Sequence, residues 1–247
     1  MRRRTAPVIR VFESALATAD AAAETVAAVL RRRPAAVLVL ASGKTMVPVY
    51  LRLVRRNREG RAPFSRAATF NLDELAVSPG DPRSFRAFME KNLFSRVDVD
   101  PRRVHFLRGD ARDPEAECSR YEDELVRAGP ADLALVGIGR NGHVAYLEPG
   151  RSLAPLTSPV RLSAATRSTL EDDGVVPAPR RALTMGIETI LSARRILLIA
   201  TGKSKAAAIS CALRGPVAAS SPASYLSLHP RLTVLLDRAA ARDAVVR

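Results

Sequence analysis

Leu133-Ala134-Leu135-Val136-Gly137-Ile138-Gly139-Arg140-Asn141-Gly142-His143 reads as a buried strand running directly into a glycine-rich turn. Its first four residues are apolar without polar alternation, as in a strand covered on both faces. The turn carries one of the chain's three histidines, and Glu148 follows five residues later. Histidine is the side chain best suited to moving protons near neutral pH. Glycines on both sides let the backbone bend sharply and approach a ligand closely. Open α/β sheets place their ligands at such turns, beyond the carboxyl ends of their strands.

Similar strand-like runs lie on both sides of this stretch. They are Val8–Phe12, Ala36–Leu40, Ala67–Leu72, Val104–Leu107, Ile196–Ala200 and Leu232–Leu236. Segments with helical spacing alternate with them: Thr18–Arg33, a stripe at Tyr50, Leu51, Leu53 and Val54, another from Phe85 to Phe94, Pro114–Ala128, and a last one ending near Leu213. This alternation predicts an α/β fold, a doubly wound, mainly parallel sheet with helices on both faces. No linker, repeat or low-complexity segment interrupts it, so one domain spanning 1–247 is expected. Polar residues gather at four strand ends: Ser42–Thr45, Asp73-Glu74, Asn141–Glu148 and Thr201–Lys205. In a parallel sheet these ends share one edge, which brings residues distant in sequence together.

The bulk properties exclude several classes of function. The net charge is +14 and the isoelectric point near 11, which raises nucleic-acid binding as a first thought. The 35 arginines are spread through every segment, however, and aromatic residues make up only 4% of the chain, so no nucleic-acid partner is expected. No apolar run approaches the ~18 residues of a membrane span, and no membrane partner is expected. Met1-Arg2-Arg3-Arg4 is basic but is not followed by a continuous apolar stretch, so it does not read as a signal peptide. Cys118 and Cys211 lack metal-type spacing and suggest reduced thiols in a cytoplasmic protein. The histidines are too scattered to predict a metal site, and no cofactor is expected.

Ser42-Gly43-Lys44-Thr45 ends like a nucleotide P-loop, but that motif needs a glycine where this chain has Leu38. A simpler anion site fits better, with backbone N–H groups at a helix entrance and hydroxyls from Ser42 and Thr45 around a phosphate monoester. Lys205, in a second strand-to-helix turn, can add a charge-assisted bond. Asp73-Glu74 offers a carboxylate pair in which one member acts as a base and the other sets its pKa or orientation.

The segments ASGKTMVPVY, FNLDELAVSPGDPRSFRAFMEKNLF, GIGRNGHVAYLEPGRSL and RALTMGIETILSARRILLIATGKSKAAAI, with the final LTVLLD, resemble the glucosamine-6-phosphate deaminase/isomerase family, relatives of the 6-phosphogluconolactonases. The likeness is collinear from Ala41 to Asp237, about four-fifths of the chain. It implies the fold shared with ribose-phosphate isomerases and CoA transferases. It also implies that Asp73 is the base that moves a proton from C2 to C1 of the opened sugar, that His143 assists ring opening, and that Glu148 orients His143. Ser42, Gly43 and Thr45 match the phosphate loop, Lys205 its lysine, and Arg167 the place of a phosphate-binding arginine. A phosphorylated sugar is therefore the implied partner, for a single chain or a homo-oligomer.

The chain departs from this family at several positions. Asn141 stands where the family usually has aspartate; it can accept a hydrogen bond but adds no charge beside His143. Lys44 and Met46 replace a small residue and a proline, so Lys44 either strengthens phosphate binding or points to solvent. Tyr146-Leu147 replaces Phe-Asn. The implied reaction converts glucosamine 6-phosphate and water to fructose 6-phosphate and ammonia. The alternatives are hydrolysis of 6-phosphogluconolactone and a sugar-phosphate sensor without turnover. Glu148 before Pro149 favours the deaminase, since the lactonases carry an aromatic residue there.

Overall fold

A computed structural model of the chain describes Arg4 and residues 6–244; the arginine-rich start, Met1–Arg3, lies outside the described residues. Ten strands and eight α-helices are described. In chain order they are β1 (Val8–Phe12), α1 (Ala15–Arg32), β2 (Val37–Leu40), α2 (Val47–Arg58), β3 (Ala68–Asn71), β4 (Asp73–Leu75), α3 (Phe85–Asn92), β5 (Val104–His105), α4 (Pro114–Ala128) and β6 (Leu133–Gly137). After these come β7 (Ser158–Arg161), α5 (Ala164–Asp172), β8 (Arg181–Thr184), α6 (Ile187–Leu191), β9 (Ile196–Ala200), α7 (Ala206–Arg214), β10 (Leu232–Asp237) and α8 (Arg238–Ala241). Among the described residues no helix is long and apolar enough to cross a membrane.

The seven apolar runs form one parallel sheet in the order β1-β10-β9-β6-β2-β3-β5. The chain builds outward from β2 through β3 to β5, then returns to the other side of β2 to add β6, β9 and β10. Right-handed crossovers in opposite directions place helices on opposite faces. The contacts agree: α1 packs on α2 and α2 on α3, whereas α6 and α7 share the 3₁₀ segment Pro222–Leu228. The reversal point of the sheet is the β2/β6 junction.

Local chemistry marks the element ends. Ser14 caps α1 by accepting the Ala17 N–H at 3.2 Å. Asp113 caps α4 in the same way, with Pro114 in the first turn. Phe70 on β3 is fully buried and stacks on His105 with ring centroids 4.3 Å apart; truncating such a side chain to alanine costs about 3–5 kcal/mol. Tyr121 on α4 is also buried, and its hydroxyl donates to the Asn71 carbonyl at 2.8 Å, fixing the end of β3 just before Asp73.

Three sequence expectations need correction. Leu51 is not on the buried stripe of α2 but is 43% exposed. The run Val104–Leu107 gives only a two-residue strand. Asp73 and Glu74 do follow the end of β3, but as strand rather than loop residues. They form β4, the first strand of a second, antiparallel sheet ordered β4-β8-β7, with Asp73 opposite Thr184. These short strands contain Pro159 and two exposed arginines, Arg161 and Arg181, so they lack the apolar run that marks the large sheet. A small core of Leu75, Phe85, Tyr146, Leu162 and Ala182 packs them together.

Candidate active site

The loops after β9, β6, β2 and β3 leave four adjacent strands across the reversal of the sheet, so the topology itself gathers the four polar strand ends. Between β2 and α2, Gly43 has φ +111°, a conformation L side chains rarely adopt. The Met46 N–H donates to the Gly43 carbonyl at 2.9 Å, and the buried Tyr50 hydroxyl donates back to the Ala41 carbonyl, fastening the loop to its own helix. The amino end of α2 gives this loop a positive field.

Asp73 is 7% exposed, and its Oδ1 accepts the Ser42 hydroxyl at 3.5 Å. Burial, followed by the neighbouring Glu74 charge, pushes its carboxyl up to about 7, against the opposing pull of Ser42. Glu74 differs in its surroundings: it accepts the N–H groups of Leu75, Phe85 and Arg86 and the Ser84 hydroxyl, at 2.7 to 3.1 Å. Its oxygens are committed to the first turn of α3, leaving Asp73 as the member of the pair that can exchange a proton. Burial raises Glu74 as well, against those bonds.

In the turn after β6, Gly139 donates its N–H to the His143 carbonyl at 2.9 Å. A Cβ on Gly139 would lie 2.3 Å from the imidazole, so glycine is required for the ring to sit there. The His143 ring is half-buried, and its Nδ1 is buried without a hydrogen-bond partner among the described residues. Burial holds the imidazole down at about 4, with Glu148 opposing and Lys205 reinforcing the effect, so the ring is neutral at pH 7.

Glu148 is 6% exposed, and among the described residues its carboxylate bonds to Asn141, Ser163 and Thr166 rather than to the imidazole. Its Oε2 accepts the Asn141 amide at 3.3 Å, and Asn141 Oδ1 accepts the His143 N–H at 3.2 Å. Its Oε1 accepts from Ser163 and Thr166, at the start of α5. Glu148 therefore acts on the ring through space, and through Asn141 on the backbone that carries it.

Lys205 lies in the turn between β9 and α7, which is pinned by the Gly202 N–H donating to both Asp237 oxygens at 3.0 Å. Burial lowers its ammonium, Arg140 adds to the effect, and Asp173 opposes it. Lys44 does not point free into solvent: its Nζ lies 2.8 Å from Asp173 Oδ1 and 3.2 Å from the Asp172 carbonyl. Arg167 is half-buried on α5, one residue past Thr166. Sequence reading missed α5 as the element tying Glu148 at one end to Lys44 at the other. Ser163 ahead of Ala164-Ala165 was the available N-cap signal. Beside the site, a cavity of about 190 Å³ lined by Glu74, Arg86, His105, Phe106, Arg108 and Glu124 shares Glu74 with it but none of the other three loops.

A proton-accepting carboxylate poised near pH 7, a neutral imidazole and a set of cations suit proton transfer on an anionic substrate. Residues 12–234 match the family model of glucosamine-6-phosphate isomerases/6-phosphogluconolactonase. Glucosamine-6-phosphate deaminase 1 of Giardia intestinalis is 44% identical over 222 residues, 87% of this chain and 82% of that protein. The solved structure of a monomeric glucosamine-6-phosphate deaminase superposes with a TM-score of 0.92 at 39% identity, covering 96% of this chain and 99% of the other. A 6-phosphogluconolactonase from Thermotoga maritima superposes at 0.76 with 24% identity over 94% of this chain and 100% of its own, a likeness of fold.

Proposed function

The chain belongs to the glucosamine-6-phosphate isomerase/6-phosphogluconolactonase family, and within it we infer that it is a glucosamine-6-phosphate deaminase. It converts glucosamine 6-phosphate and water to fructose 6-phosphate and ammonia. One observation carries the chemistry: the adjacent strands β3, β2 and β6 set the buried Asp73 carboxylate in the same loop cluster as the His143 ring, whose buried Nδ1 has no hydrogen-bond partner among the described residues.

In this reading Ser42, Gly43, Lys44, Thr45, Arg167 and Lys205 bind the phosphate. The amino end of α2 and the cations supply its countercharge. His143 moves a proton between the ring oxygen and the C1 hydroxyl, opening the pyranose. Asp73 then takes the proton from C2, which the C1 aldehyde has made acidic, and returns it to C1. The resulting C2 imine adds water and expels ammonia, so one water is consumed and no electron is transferred. Asn141 and Glu148 hold His143 and its field in place.

The deaciding assay incubates the full chain with glucosamine 6-phosphate and follows ammonia and fructose 6-phosphate, with 6-phosphogluconolactone hydrolysis measured in parallel. Stoichiometric release of both products is expected. Lactone hydrolysis without ammonia would transfer the assignment to the lactonase branch. Thermal stabilisation by sugar phosphates with neither activity would leave a sensor.

A further inference from the structure

Glu148 Oε1 accepts three hydrogen bonds from the start of α5: Thr166 Oγ1 at 2.5 Å, Ser163 Oγ at 3.1 Å and the Ser163 N–H at 3.4 Å. Ser163 is the N-cap of α5, and its hydroxyl oxygen accepts the Thr166 N–H at 3.1 Å. Capping uses only that acceptor. The hydroxyl proton is left over, and here it goes to a carboxylate fifteen residues away in sequence. Thr166, 4% exposed, likewise departs from the local habit: Thr18, Thr25 and Thr169 each donate to the carbonyl four residues back, whereas Thr166 donates to Glu148.

We infer that Ser163 and Thr166 are positioning residues for the reaction, holding the Glu148 carboxylate where its charge acts on His143. The inference rests on the role proposed for Glu148 above. Its physical basis is the missing direct bond. Glu148 influences the imidazole through space, and a through-space interaction depends on where the charge is held. Asn141 supplies no charge of its own, so the position of the Glu148 carboxylate carries that influence. The three neutral donors fix one oxygen and Asn141 the other, leaving the carboxylate little freedom to rotate.

The test compares Thr166→Val, Thr166→Ser and Ser163→Ala, with Glu148→Gln alone and combined with Thr166→Val, on glucosamine 6-phosphate. Thr166→Val is expected to lower kcat roughly tenfold or more, the scale of one hydrogen bond to a charged group, with KM changed by less than about twofold. The acid limb of its pH–rate profile should shift, and Thr166→Ser should restore most of the rate. Ser163→Ala, at the partly exposed cap, should show the same pattern through a different donor even if Thr166→Val folds poorly. In the Glu148→Gln background Thr166→Val should have almost no further effect. If Glu148→Gln is impaired while Thr166→Val and Ser163→Ala keep the wild-type rate and profile, or if the Thr166→Val loss is fully additive, the positioning role is overturned. A Glu148→Gln variant with unaltered kcat would instead overturn the role of Glu148 itself.

Discussion

Asn141 donates its side-chain amide to Glu148 Oε2 across 3.3 Å while its own Oδ1 accepts the His143 N–H. Asn141 is thus matched to a carboxylate, which an aspartate in its place would repel. Replacing it places a second negative charge within reach of the imidazole and favours the protonated ring. Asn141→Asp should therefore raise the His143 pKa from about 4 by roughly one unit, followed by NMR titration of the ring protons. An unchanged titration would refute this electrostatic account.

Asp73 sets a pH dependence of both rate and stability. In its proposed role as the base it must be ionised, so kcat/KM should rise with pH and level off above about 7. The folded chain keeps the Asp73 proton up to about 7, whereas the unfolded chain loses it near 3.8. Between those values the native state binds more protons, and this group's contribution to stability is lost as pH rises. Asp73→Asn should abolish C2-proton exchange. It should also melt higher than the wild type at pH 8, with the difference shrinking toward pH 4; a constant difference across that range contradicts the raised pKa.

Gly139→Ala tests the seat of the imidazole. The added methyl would fall 2.3 to 2.4 Å from three ring atoms, so the His143 side chain must leave its position. Turnover should fall at least about a hundredfold, as expected when a catalytic group is displaced by an ångström. Because the clash is with a side chain in a loop, far-UV circular dichroism should stay native. Full activity would mean that the imidazole position is not required.

The Lys44–Asp173 pair is 65% and 36% exposed, so it contributes little to stability, under about 1 kcal/mol. Its effect should appear in binding, because Asp173 occupies a cation assigned to the substrate phosphate. Asp173→Asn should leave Tm almost unchanged and tighten competitive inhibition by inorganic phosphate at low salt. Weaker phosphate inhibition would show that Asp173 supports the phosphate site.

Much of the large sheet was legible along the chain, because strands buried on both faces must be continuously apolar: Val37–Leu40, Leu133–Val136 and Ile196–Ala200 could hardly read otherwise. The glycine-rich and hydroxyl-bearing turns were legible for a related reason, since backbone at positive φ and anion-binding helix entrances demand few residue types. The small sheet was not. Pro159, Arg161 and Arg181 can serve in strands that are only partly covered, and no local pattern announces that Asp73 pairs with Thr184.

By itself the sequence determined the parallel α/β architecture, the strand ends that carry Asp73, His143, Lys205 and the Ser42–Thr45 loop, and the family to which they belong. Only the tertiary structure decided that Glu74 is spent on the start of α3 and that Glu148 is held by Asn141, Ser163 and Thr166 rather than by His143. It also decided that Lys44 meets Asp173. The reason is physical: residue type and spacing fix what a segment can bury and how it can bend, whereas which donor reaches which carboxylate depends on where packing sets elements distant in the chain.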